Sequence, residues 1–70
     1  MITLENVRKE LIAAIKQSGL SQTELAQKLG IKQPTVSEYV TGKSMPALDT
    51  FANLCKILDL DANEILCLQK

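Results

Sequence analysis

The stretch Gly19-Leu20-Ser21-Gln22-Thr23-Glu24-Leu25-Ala26-Gln27-Lys28-Leu29-Gly30-Ile31-Lys32-Gln33-Pro34-Thr35-Val36-Ser37-Glu38-Tyr39-Val40-Thr41-Gly42 decides the fold of this chain. Ser21 followed by Glu24 reads as a capping box: the hydroxyl takes a free backbone N–H and the carboxylate reaches back. A helix over about residues 21–29 follows, with Leu25, Ala26 and Leu29 on its apolar face. Gly30 supplies the left-handed residue that stops it. Gly30-Ile31 alone separates it from a second helix over about residues 32–41. That helix holds Pro34 in its first turn, where a missing N–H costs nothing. Val36, Tyr39 and Val40 are its inward residues and Gly42 its stop. Two short helices joined so briefly, with Gly at the corner, cross at a large angle. Small Ala26 lets the second helix approach, and Ile31 tucks under the corner. The spacing predicts a helix-turn-helix over about residues 21–41.

Outward from that pair, the flanks are helical too. Leu4, Val7, Leu11, Ala14 and Ile15 recur at three- and four-residue steps, predicting a helix over about 4–17 that ends at Ser18-Gly19. After Pro46, Leu48, Phe51, Leu54, Cys55 and Leu58 share one face of a helix over about 47–58. Asp59 is its stop, a residue type that tolerates the left-handed region. Asp61 and Glu64 form a second capping-box-like pair before a last helix over about 61–68, with Ala62, Ile65 and Leu66 inward. No segment alternates with period two, so the class is all-α.

Seventy residues is the size of one small domain, here expected to span 1–70. The apolar share of 46% is enough for one core and too high for a disordered tail. Tyr39 and Phe51 are the only aromatics, so the core is aliphatic, with Tyr39 expected to plug it rather than stack on a ligand. No apolar run approaches 18 residues, and acidic Glu5 near the start does not fit a signal core, so the expected location is cytoplasmic. Cys55 falls on an apolar stripe as a small hydrophobe, and Cys67 is expected to be exposed near the end. Without His or a Cys-x-x-Cys pattern there is no zinc ligand set, and no cofactor is implied. No nucleophile–base pair is apparent, so the chain is not expected to be an enzyme. The formal net charge of zero counts against nucleic-acid binding unless the charges are distributed favourably. Between residues 17 and 55 the cations are Lys28, Lys32 and Lys43 and the acids Glu24, Glu38 and Asp49.

Residues Gly19–Ile31, Val36-Ser37 through Gly42-Lys43, then Pro46, and finally Leu48–Leu66 closely resemble the phage Cro and repressor helix-turn-helix family, the Xre family. The resemblance covers nearly the whole chain. It implies a compact five-helix, lambda-repressor-like domain that binds double-stranded DNA sequence-specifically as a transcriptional regulator, a repressor above all. The third helix is then expected in the major groove, its N-terminal end toward base edges. Gln33, Pro34, Ser37 and Glu38 become base-reading candidates. Gln33 suits a bidentate pair with adenine, Glu38 accepts from cytosine N4, and Pro34 offers apolar contact to a thymine methyl. Gln22, Lys32, Thr41, Lys43 and Ser44 are the phosphate candidates, with Lys28 a weaker one. The expected partner is a two-fold operator, bound by a weak homodimer completed on the DNA, for which Cys67 and Leu68 leave apolar surface. The alternative is a protein-interaction module, such as an antitoxin or anti-regulator on the same frame. One departure stands out: the family's implied Arg–Glu ion pair between the first and third helices falls on Ile15 and Val40, which are expected to pack together instead.

Overall fold

A computed structural model describes residues 1–68 as helices α1 (Leu4–Gln17), α2 (Gln22–Leu29), α3 (Gln33–Thr41), α4 (Leu48–Ile57) and α5 (Ala62–Ile65). No strand occurs among the described residues. The starts of α1, α2 and α5 carry a side-chain cap. Thr3 caps α1, its hydroxyl accepting from Asn6 N at 3.2 Å. The Ser21–Glu24 box forms in both directions, each bond 3.1 Å long. Helix α3 starts at Lys32 without a side-chain cap and relies on Pro34 in its first turn.

The ends of α2 to α5 follow one pattern, whereas after α1 Leu20 N–H donates to Ser18 Oγ. Gly30 is left-handed (φ 72°), Gly30 N–H donates to Gln27 O and Ile31 N–H to Ala26 O, which satisfies carbonyls that α2 leaves open. The same closure recurs after α4 at Asp59 (φ 54°), as its residue type predicts. It recurs again at Cys67 (φ 61°), where Leu68 N–H reaches Asn63 O at 2.8 Å. That last closure corrects the expected length of the fifth helix: the chain turns left-handed at Cys67, and α5 is one turn rather than a helix to residue 68. Its start also departs from the expected box, since the Asp61 carboxylate accepts from Asn63 N, one residue before the N3 position.

One core cluster joins all five helices. Leu11, Leu25, Val36 and Leu54 are fully buried, and Ile15, Ala26, Tyr39, Phe51 and Ile65 complete the cluster. Burying each large aliphatic contributes roughly 1.5–3 kcal/mol, which matters in a chain this small. Tyr39 sits in the core as expected. Ile15 is buried in this cluster and Val40 is half-buried against it, so both places of the implied ion pair are apolar and turned to the core. Two expected core residues are not inside: Leu4 is 59% and Leu48 82% exposed. Each is the first residue of its helix and stands on the open rim of an apolar cleft shared with Val7, Phe51 and Leu66, so periodicity gave the correct face but overran the core. Cys67 is half-buried rather than exposed, its thiol turned toward Ile65 O. Cys55 is also half-buried; burial pushes its thiol pKa up, with the Asp61 charge adding to it, so it stays protonated as a small apolar group.

Candidate nucleic-acid interface

Helix α3 has two unlike faces. Val36 and Tyr39 are buried against the rest of the protein. Gln33, Pro34 and Glu38 are exposed and Ser37 is half-exposed. Gln33, Ser37 and Thr41 follow at four-residue steps, as do Pro34 and Glu38, so these side chains form one polar strip on the helix. All four expected base readers thus stand together on the outward face.

The two helices of the motif touch at their starts. Gln33 Nε2 donates to Gln22 Oε1 at 2.5 Å. Both glutamines occupy the first position of their helices. The bond fixes the direction of the Gln33 amide and leaves its carbonyl oxygen and second N–H free for another partner. Beside it, the N-terminus of α2 leaves the amides of Gln22 and Thr23 without intrahelical acceptors. Such a terminus is suited to an anion. Glu24 works against it: the Ser21 backbone N–H, helped by the Ser21 hydroxyl, holds its carboxyl below the ordinary range, so it is charged at neutral pH.

The far end of α3 is organised by Glu38. Its backbone carbonyl accepts from Lys43 N at 2.9 Å and Ser44 N at 3.3 Å, and its carboxylate accepts from Ser44 Oγ at 3.3 Å. The Thr41 hydroxyl donates back to Ser37 O at 2.9 Å. Of the phosphate candidates here, Lys43 alone has an unengaged donor in its exposed side chain; Thr41 and Ser44 must each release an internal bond to donate elsewhere. Lys32 is exposed at the start of α3, and Lys28 is exposed on α2. The Gln22–Gln33 bond and the Ser44–Glu38 bond were not anticipated from the sequence. The first had a signal in two glutamines at equivalent helix starts; the second spans a loop whose path no pattern specifies.

A tight helical pair whose second member turns a polar strip outward beside a free helix N-terminus is the arrangement of a helix-turn-helix DNA-binding domain. The chain belongs to the helix-turn-helix family, whose pattern it matches over residues 11–65. It is similar to antitoxin HigA1 of Mycobacterium tuberculosis, 43% identical over 49 residues, which is 70% of this chain and 33% of that protein. It is similar to protein P2 of Acyrthosiphon pisum secondary endosymbiont phage 1, 39% identical over 56 residues, 77% of this chain and 60% of that protein. It is also similar to the uncharacterized HTH-type transcriptional regulator YqaE of Bacillus subtilis, 36% identical over 62 residues, 89% of this chain and 50% of that protein. The chain therefore spans between 33% and 60% of the length of these relatives. No solved structure matches it. No helix among the described residues is long and apolar enough to cross a membrane.

Proposed function

We propose that this chain binds double-stranded DNA sequence-specifically and acts as a transcriptional regulator, a repressor in the first instance. Helix α3 enters the major groove. Gln33, Pro34, Ser37 and Glu38 meet base edges, while Gln22, Lys32, Thr41, Lys43 and Ser44 grip phosphates. The observation that carries this reading is the Gln33 amide, exposed at the tip of α3 and oriented by Gln22. A side-chain amide so held can pair with adenine N6 and N7. Two copies bind a two-fold operator, their association completed on the DNA. With few free cations on the reading face, salt dependence is shallow, at about −0.9 in slope per phosphate contact.

A second reading has its own support. Two kinds of relative, HigA1 and HipB, are named antitoxins, and the net charge is zero. On that reading the same domain also serves a protein partner, and the two roles are compatible in one molecule. Selection from a random pool of duplexes at two salt concentrations tests the first reading. A two-fold motif whose recovery falls as salt rises supports it. Retention without a motif removes the base readers, and no retention at low salt moves the search to a protein partner.

A further inference from the structure

Among the described residues, one buried side-chain polar atom has no hydrogen-bond partner: Nε of Arg8. Arg8 lies on α1, thirty-four positions before the end of the motif, yet its stem rests on Gly42, which closes α3. A Cβ placed on Gly42 would meet Arg8 Cδ at 3.2 Å and Nε and Ile12 Cδ1 at 3.9 Å. The stem is therefore held in a slot that glycine leaves open. The terminal nitrogens are not among the covered atoms, and Arg8 has no ion pair among the described residues.

We propose that Arg8 is a further DNA-phosphate contact, supplied by α1 and set beside Lys43 at the far end of the reading helix. This rests on the DNA-binding reading above. Three observations converge on it. The guanidinium is fixed at its root, so little side-chain freedom remains to be lost on binding. Its stem rests at the C-terminus of α3, the negative end of that helix's dipole, which favours a cation. Lys43, a phosphate candidate with a free donor, directly follows Gly42 in the chain. A guanidinium presents paired N–H groups that match phosphate oxygens, and Arg8 offers them with no competing carboxylate in place. Arg8 thereby adds a positive charge that the balance of residues 17–55 does not include.

The test compares the full chain with Arg8→Gln, Arg8→Lys and Arg8→Met on the duplex motif recovered by selection, across 50 to 200 mM salt. Arg8→Gln is expected to make the salt slope shallower by about 0.9, so that the affinity lost over that range shrinks about 3-fold. Base preference is expected to stay as in the parent, and Arg8→Lys to restore the slope. Arg8→Met, which keeps an unbranched stem over Gly42, is expected to match the Gln variant and substitutes for it if thermal melting shows that variant unfolded. A purely structural Arg8 would change melting without changing the slope. A parental slope in the Gln or Met variant, with parental binding intact, overturns the Arg8 contact alone. Absence of any duplex binding by the parent overturns the DNA reading and Arg8 with it.

Discussion

Gln33 donates its side-chain amide to Gln22 Oε1 at 2.5 Å, tying the first residue of α3 to the first residue of α2. A base-reading candidate and a phosphate candidate therefore share one hydrogen bond. Their effects on DNA affinity should not add: a double-mutant cycle of Gln22→Ala and Gln33→Ala is expected to give a coupling of about 0.5–3 kcal/mol. Gln33→Ala alone should also relax preference at one base pair, costing about 1–3 kcal/mol against the matched site. Additive losses would show that the bond is replaced when DNA binds.

Lys43 is exposed, and its side chain has no partner among the described residues. Lys43→Gln should weaken binding evenly across sequences and reduce the salt slope by about 0.9. Thr41→Val should change affinity less, because the hydroxyl already donates to Ser37 O. Equal effects from the two, in a binding titration over salt, would mean that Thr41 exchanges its internal bond for a phosphate.

Leu25 is fully buried where α2 meets the core. Leu25→Ala is expected to cost about 2–5 kcal/mol, read from the midpoint of urea unfolding. For 70 residues the total stability is of the order of 4–10 kcal/mol. The substitution should therefore remove about half of that stability and lower the urea midpoint in proportion. Leu48→Ala, at a residue 82% exposed, should shift the midpoint by no more than about 0.5 kcal/mol.

Gly30 and Gly42 both have left-handed backbones, but only Gly42 is crowded, by Arg8 Cδ at 3.2 Å from the added Cβ. Gly30→Ala should cost about 1–2 kcal/mol from backbone strain alone. Gly42→Ala should cost more, since the Arg8 stem must also move. Cys67 adopts φ 61° with a side chain that disfavours it, and Cys67→Gly should raise the melting temperature by relieving strain. A lower melting temperature would show that the Cys67 thiol packs to greater advantage than the strain costs.

The Ser21 backbone N–H holds the Glu24 carboxyl below its ordinary range. A folded pKa lower than the unfolded one means that the unfolded chain takes up the proton more readily. The capping contribution is then complete above the ordinary value of about 4.3 and is lost as pH falls through the lowered one. Glu24→Gln should flatten the acid limb of a stability-versus-pH curve, while Ser21→Ala should lower stability by about 0.5–2 kcal/mol at neutral pH.

Much of this molecule is legible along the chain. The caps and stops at Ser21, Pro34, Gly30, Gly42 and Asp59 act within four or five residues of themselves, so their spacing set the boundaries of α2, α3 and α4 to within a residue. The outward polar face of α3, the candidate reading face, followed from the inward period of Val36 and Tyr39. What periodicity does not carry is how far the core extends: Leu4 and Leu48 lie on the right faces but past its edge. Nor did it place the last turn, because the left-handed backbone at Cys67 comes without the glycine or asparagine that signals one.

The sequence by itself determined the helices, their order and the face each turns inward, because hydrogen bonds and caps close locally and burial follows period. Only the tertiary structure decided which distant polar groups meet. Gln22 reaches Gln33, and Arg8 settles on Gly42, because the core clamps α1, α2 and α3 at fixed angles. Those meetings depend on the packing of Leu11, Leu25 and Val36, which residue spacing alone does not specify.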